Sequence, residues 1–248
     1  LKNKKQKLFI SLIILLLAAV VLTFVLWHRG IFIPNASNVK KYSVKGVDVS
    51  AYQGEISWPK IQEQNIRFAF IKATEGSTFV DKQFSDNWKN AKSTNLRIGA
   101  YHFFSYDSEG KRQAENYIKN VPIDEQALPP VIDVEFYGDK EKNPPNRMEV
   151  EKELKEMVKM LEDHYGKRVI LYTTQKAYNL YIQGSYDQCD IWIRDVFTKP
   201  SLSDKRAWTF WQYTDRGLLE GYNGSEKEKF IDLNVFYGSE NEFLKYGD

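Results

Sequence analysis

Cysteine and histidine are scarce: the 248-residue chain carries one cysteine, Cys189, and three histidines, His28, His102 and His164. One cysteine excludes an intrachain disulfide framework and any multi-cysteine metal site. No His-Glu-x-x-His segment occurs, and the three histidines are too few for a histidine-rich zinc site. An excess of one charge is missing too. Lys and Arg number 35 against 33 Asp and Glu, a formal net charge of +2, and no dense basic patch follows the N-terminal segment. A nucleic-acid partner is therefore not indicated. A Gly-x-Ser-x-Gly nucleophile elbow, a glycine-rich phosphate loop and internal repeats are all absent. Cys189 precedes Asp190 without any motif for a thiol nucleophile and reads as structural.

The N-terminus is rich in one thing, apolar residues. Lys2, Lys4, Lys5 and Lys7 precede an uncharged run of 20 residues from Leu8 to Trp27. As a helix this run measures about 30 Å, the thickness of a bilayer's hydrocarbon core. It lacks the polar stripe of a buried soluble helix. The lysines before the span place the N-terminus in the cytoplasm and the rest outside, as a single-pass membrane protein. A cleaved signal peptide, giving a secreted protein, is the competing reading. Its apolar core is usually shorter, and Phe24-Val25-Leu26-Trp27 is a poor cleavage context. The expected organisation is a cytoplasmic tip and anchor over residues 1–29, an extracellular stalk over 30–42 containing Pro34, Asn35, Ser37 and Asn38, and one domain over 43–248.

Eight apolar, β-branched runs recur in that domain: 44–49, 68–73, 98–103, 130–134, 169–172, 191–193, 208–213 and 231–235. Several are continuous, the pattern of strands buried on both faces. Helical segments are predicted over 58–64, 84–94, 109–119, 147–164 and 174–181. The 147–164 segment has the clearest stripe, Met148, Leu154, Met157, Val158 and Leu161, before Gly166. Alternation of strand and helix predicts an α/β fold, a TIM-like (β/α) barrel of about eight strands and five helices. Residues 194–207 and 214–230 carry Pro200, Gly217, Gly221 and Gly224 and read as no full crossover helix, so the barrel should be irregular in its last third. A doubly wound open sheet is the runner-up.

Chemistry concentrates at strand ends. The run Pro129-Pro130-Val131-Ile132-Asp133-Val134-Glu135-Phe136 ends a buried strand in two carboxylates at i and i+2, which share a face. In a barrel the C-terminal strand ends carry the site. Paired carboxylates there are costly unless used. Glycoside hydrolysis uses such a pair, one protonated and one charged; metal binding or plain solvation explains a pair equally well. Asp48, in the first strand, and Asp232 with Asn234, in the last, become neighbours if the barrel closes. Each alone reads as a turn former or helix cap. In Gly99-Ala100-Tyr101-His102-Phe103, His102 either orients a carboxylate or sugar hydroxyl, or is a structural histidine inside the barrel. Lys72 and Glu75 either line the cleft or form a simple salt bridge. Trp192 and Arg194, with Trp211, Gln212 and Tyr213, offer stacking surfaces and donors, although tryptophan in a core is as common.

The chain from about Val44 to Gly238 resembles the glycoside hydrolase family 25 muramidases, the Chalaropsis-type lysozymes. The matching stretches are Gly46-Val47-Asp48-Val49-Ser50 with Gln53-Gly54, Phe70-Ile71-Lys72-Ala73-Thr74-Glu75-Gly76, Gly99 to Phe103, Asp133-Val134-Glu135, Trp192, Trp211-Gln212-Tyr213 and Ile231-Asp232-Leu233-Asn234. The anchor lies outside the resemblance. The resemblance implies an irregular barrel and hydrolysis of the β-1,4 bond between N-acetylmuramic acid and N-acetylglucosamine, with no cofactor. It makes Glu135 the general acid and Asp133 its partner, orienting the substrate's N-acetyl group or acting as nucleophile or base. Asp48 and Asp232 would hold substrate and tune the acid, with Tyr101, His102, Lys72, Glu75, Trp192, Trp211, Gln212, Tyr213 and Asn234 as further binding residues. The partners expected are peptidoglycan strands, the bacterial membrane through residues 8–27 and, through the anchor, a cell-wall-spanning assembly. Rival readings are a non-catalytic glycan-binding module, which would often have lost an acid that is kept here, and a hydrolase of another cell-surface polysaccharide.

Overall fold

The protein is described here by a computed structural model covering residues 2–226 and 228–247. Helix α1, Lys2–His28, is followed by a barrel whose strands are β1 Lys45–Val49, β2 Phe68–Glu75, β4 Arg97–Phe103, β5 Val131–Val134, β6 Ile170–Thr174, β7 Asp190–Arg194, β8 Phe210–Gly217 and β9 Ile231–Phe236. A short strand β3, Phe79–Val80, folds back on β2 as a hairpin outside the barrel. Helices α2 Trp58–Glu63, α3 Phe84–Lys92, α4 Gly110–Asn120, α5 Arg147–Tyr165 and α6 Gln175–Ala177, the last extended by one wide turn over Tyr178–Ile182, fill the outside. All five fall where the apolar periodicity predicts. A seventh helix, α7 Glu240–Leu244, has too few residues to show a period.

The sheet runs β1-β9-β8-β7-β6-β5-β4-β2 and closes through β1 on β2. Every neighbouring pair is parallel except β8 with β9 and β9 with β1. The antiparallel final strand follows from the sequence between β8 and β9. It holds two glycines, Gly221 and Gly224, and no helix among the described residues, so the chain reverses locally instead of crossing over.

Strand alternation divides the apolar residues into two cores. Inside the barrel lie Phe68, Phe70, Val131, Ile170, Trp192 and Phe210, closed from below by Phe243 of α7. The larger core, between barrel and helices, holds the other face of each strand, including Val47, Ile71, Ile132, Leu171, Ile193 and Trp211. Gly46 faces inward where any side chain would strike the ring of Phe68, so its lack of a Cβ lets β1 close the barrel.

Two findings concern the N-terminal part. Helix α1 is long and apolar enough to cross a membrane, with a mean hydropathy of 3.1 in its most apolar window, and none of that window is buried. The segment 30–42, read from its composition as a stalk, is instead packed on the barrel. Asn35 is fully buried, and its amide donates to the carbonyls of Asp195 and Tyr213 at 3.0 and 3.3 Å. Tyr42 lies against the rings of Trp208 and Trp211. Pro34, Asn35 and Asn38, which read as linker residues, here make the turns of an ordered strap.

Candidate active site

A cavity of about 270 Å³ opens at the C-terminal ends of the parallel strands, lined by Asp48, Tyr101, Asp133, Glu135, Tyr172, Trp192, Arg194, Gln212 and Asp232. Each residue arrives by parity. Asp133 and Glu135 leave β5 on its inner side, two residues apart. Asp133 is in register with Tyr172, Tyr172 with Trp192, and Asp48 with Asp232. Barrel closure thus sets one carboxylate pair across from the other.

The floor is aromatic. Trp192 stacks on Phe70 with centroids 4.5 Å apart, and Tyr172 meets it edge-on at 4.6 Å. A hydrogen-bond chain rises from this floor. The Trp192 indole donates to Asn234 Oδ1 (2.8 Å), and the Asn234 amide donates to Asp48 (2.7 Å). The Tyr172 hydroxyl donates to Gln212 Oε1 (2.9 Å), and the Gln212 amide donates to both oxygens of Asp48 (3.1 and 3.0 Å). Asp48 is thereby fixed in place by neutral donors. Asp133 differs: its Oδ1 is buried with no hydrogen-bond partner among the described residues.

Burial dominates the electrostatics. It pushes Asp48 up to about 6, against the opposing effect of its Asn234 and Gln212 hydrogen bonds. Asp133 is pushed well above the usual carboxylate range by burial and then by the charge of Glu135. Asp232 rises well above it by burial and the charges of Asp48 and Asp215. Glu135 is raised by burial, with Arg194 pulling the other way. Carboxylates facing one another in a desolvated cavity hold protons to higher pH than in water. Two cations offset the cluster. Arg194 is held by Asp215 at 2.7 Å and Lys72 by Glu75 at 2.7 Å.

Lys72 and Glu75 line a second groove beside the cavity, with Ser50, Tyr52, Phe79 and Asp81. Tyr101 joins the two regions, since it lines the cavity and is the register partner of Lys72. Asn234 lies beneath the cavity, fully buried, and reaches it through Asp48.

Three residues expected at the site are not brought there. His102 follows Tyr101 and so points to the opposite face of β4. Its ring bonds Thr74 (2.7 Å) and Gln113 (3.1 Å), and burial lowers its pKa to about 4. Trp211 and Tyr213 flank Gln212 on β8 and face outward. Trp211 is fully buried, with its indole donating to the carbonyl of Asp195. A period of two forbids three consecutive side chains from sharing one cavity. Conversely, Tyr172 and Asp215 were not expected. Tyr172 carries the inward parity of Ile170, but only the register with β5 and β7 shows what it faces.

The sequence profile of Glycosyl hydrolases family 25 matches residues 47–222, more than half of the chain. The structure of a family 25 glycosyl hydrolase from Bacillus anthracis superposes with a TM-score of 0.80 at 66% identity, covering 84% of this chain and 95% of that one. Lysozyme M1 of Streptomyces globisporus is 32% identical over 213 residues, 79% of this chain and 68% of that protein. The uncharacterized protein YegX of Escherichia coli O157:H7 is 34% identical over 212 residues, 84% and 74% of the two chains. With the family profile matching most of the chain, including the segments that carry Asp48, Asp133 and Glu135, the chain belongs to glycosyl hydrolase family 25 and is a hydrolase.

Proposed function

We propose that the enzyme cleaves the β-1,4 bond between N-acetylmuramic acid and N-acetylglucosamine of peptidoglycan, with Glu135 as general acid and Asp133 as its partner. The observation that carries this reading is the meeting of Asp133 and Glu135 with Asp48 and Asp232 over an aromatic floor, in a cavity that raises their pKa values. A general acid must hold its proton near the working pH, and burial gives Glu135 that property. Glu135 protonates the glycosidic oxygen as the bond from C1 to that oxygen breaks. The unpartnered Oδ1 of Asp133 suits an amide N–H, so Asp133 orients the 2-acetamido group while its carbonyl oxygen bonds to C1. Water, deprotonated by the Glu135 carboxylate, then opens the cyclic intermediate with retention. Direct attack by Asp133 is the competing course. The name lysozyme carried by the Streptomyces globisporus relative supports the substrate.

Helix α1 serves in this reading as an uncleaved anchor, with its lysines in the cytoplasm and the barrel outside. The test is digestion of native peptidoglycan by the full-length protein in detergent, with products reduced by borohydride and weighed by mass spectrometry. Reduced N-acetylmuramic acid ends without an anhydro mass loss are expected. Reduced N-acetylglucosamine ends, or no cleavage by folded protein, would overturn the assignment.

A further inference from the structure

The end of α1 is not free of the barrel. Its last turn docks on three segments, and all three belong to the rim of the catalytic mouth. Trp27 packs on Phe197, just beyond β7, with ring centroids 5.6 Å apart. Arg216, near the end of β8, lies over the Trp27 ring at 4.4 Å and donates to the carbonyl of His28 at 3.1 Å. Gly30 fits against the Arg216 carbonyl and the ring of Phe230, just before β9, in a left-handed turn with φ of +69° that leaves no room for a side chain. Because β9 runs antiparallel to β8, its start lies at the same end of the barrel as the finish of β7 and β8.

Large apolar side chains surround this junction and stand in the open. Ile31 is 65% exposed, Phe197 59% and Leu218 56%, with Phe32 beside them at 44%. They are continuous with the apolar helix through the Trp27–Phe197 contact and through the chain itself. Trp27, Phe32 and Phe197 supply the aromatic rings, and Arg29 the cation, that collect at the level of lipid headgroups.

From this we propose that the β7–β9 sector of the catalytic rim is a membrane-seating surface. Ile31, Phe32, Phe197 and Leu218 enter the headgroup region of the bilayer that α1 spans, and hold the mouth against the lipid. The occupant is a phospholipid surface. The groove lined by Lys72 and Glu75 belongs to the β2–β3 side of the mouth and stays open to glycan. The enzyme would then act on strands lying next to the membrane instead of sweeping the wall on a loose tether. The inference rests on α1 being a membrane anchor.

The test uses the full-length protein in phosphatidylcholine–phosphatidylglycerol vesicles. An environment-sensitive fluorophore is placed singly at Leu17→Cys, Phe197→Cys, Leu218→Cys and Ile123→Cys, and is quenched by spin-labelled lipid. Native Cys189 does not compete for label, being buried with its thiol pushed up to about 12. Ile123, 63% exposed in the loop before β5, marks the opposite pole of the barrel. Quenching at residues 17, 197 and 218 at least threefold stronger than at 123 is expected. Strong quenching at 17 with 197 and 218 no different from 123 would overturn the seating and leave the anchor standing. No quenching at 17 would overturn both.

Discussion

Asp48 and Glu135 show how one cavity treats two acids differently. Asp48 receives hydrogen bonds from Gln212 and Asn234, whereas Glu135 is governed by burial and the nearby Arg194 guanidinium. Glu135→Gln keeps the shape and removes the proton. It should leave the melting temperature within a few degrees and lower turnover on peptidoglycan by more than about 100-fold; a kcat within tenfold of the parent would dismiss Glu135 as the acid. Arg194→Gln tests the tuning. The Arg194 charge favours ionised Glu135, so its loss should raise the pKa of Glu135 further. The alkaline limb of the kcat/KM profile should then move to higher pH, and an unmoved limb would show that Arg194 does not act on the acid.

At the scale of elements, the strap over residues 30–42 is structural. Truncation to Lys40 removes the two hydrogen bonds of Asn35 and the buried side chain of Val39. At about 1 kcal/mol for each hydrogen bond and somewhat more for the valine, the loss is about 3 kcal/mol. A protein starting at Lys40 should melt roughly 6–12 °C below one starting at Gly30, measured by calorimetry on the two soluble domains. Equal melting temperatures would return the segment to the role of a stalk. Composition misled here because buried turns and flexible linkers draw on the same residues, and only contacts across 160 positions, such as Asn35 with Asp195, separate them.

At the scale of the whole molecule, closing the barrel forces carboxylates from both ends of the chain into one desolvated space. The folded pKa of Asp48 lies near 6, above its ordinary value of 3.8. The folded state therefore holds this proton more tightly than the unfolded state, and the associated stability is complete below about pH 4 and lost as pH rises through 6. Asp133 and Asp232, raised further, carry the same sign to higher pH. The melting temperature should fall between pH 5 and 8. Asp232→Asn, which takes one charge from the cluster, should flatten that fall in a calorimetric series; an unchanged slope would mean that the cluster is solvated enough to ionise freely.

The eight barrel strands, the five outer helices and the irregular last third could be read directly from the chain, because apolar periodicity and glycine placement are local properties. So could the Asp133–Glu135 pair, since a spacing of two settles which residues share a strand face. Which face looks inward was not local. His102, Trp211 and Tyr213 stand beside site residues in sequence and lie on the other side of the sheet, while Tyr172 and Asp215 reach or support the cavity from segments with no motif. Parity relative to the barrel axis, the register between distant strands and the docking of α1 on the rim come into being only when the sheet closes on itself. Closure is a long-range event, and no window of sequence contains both of its partners.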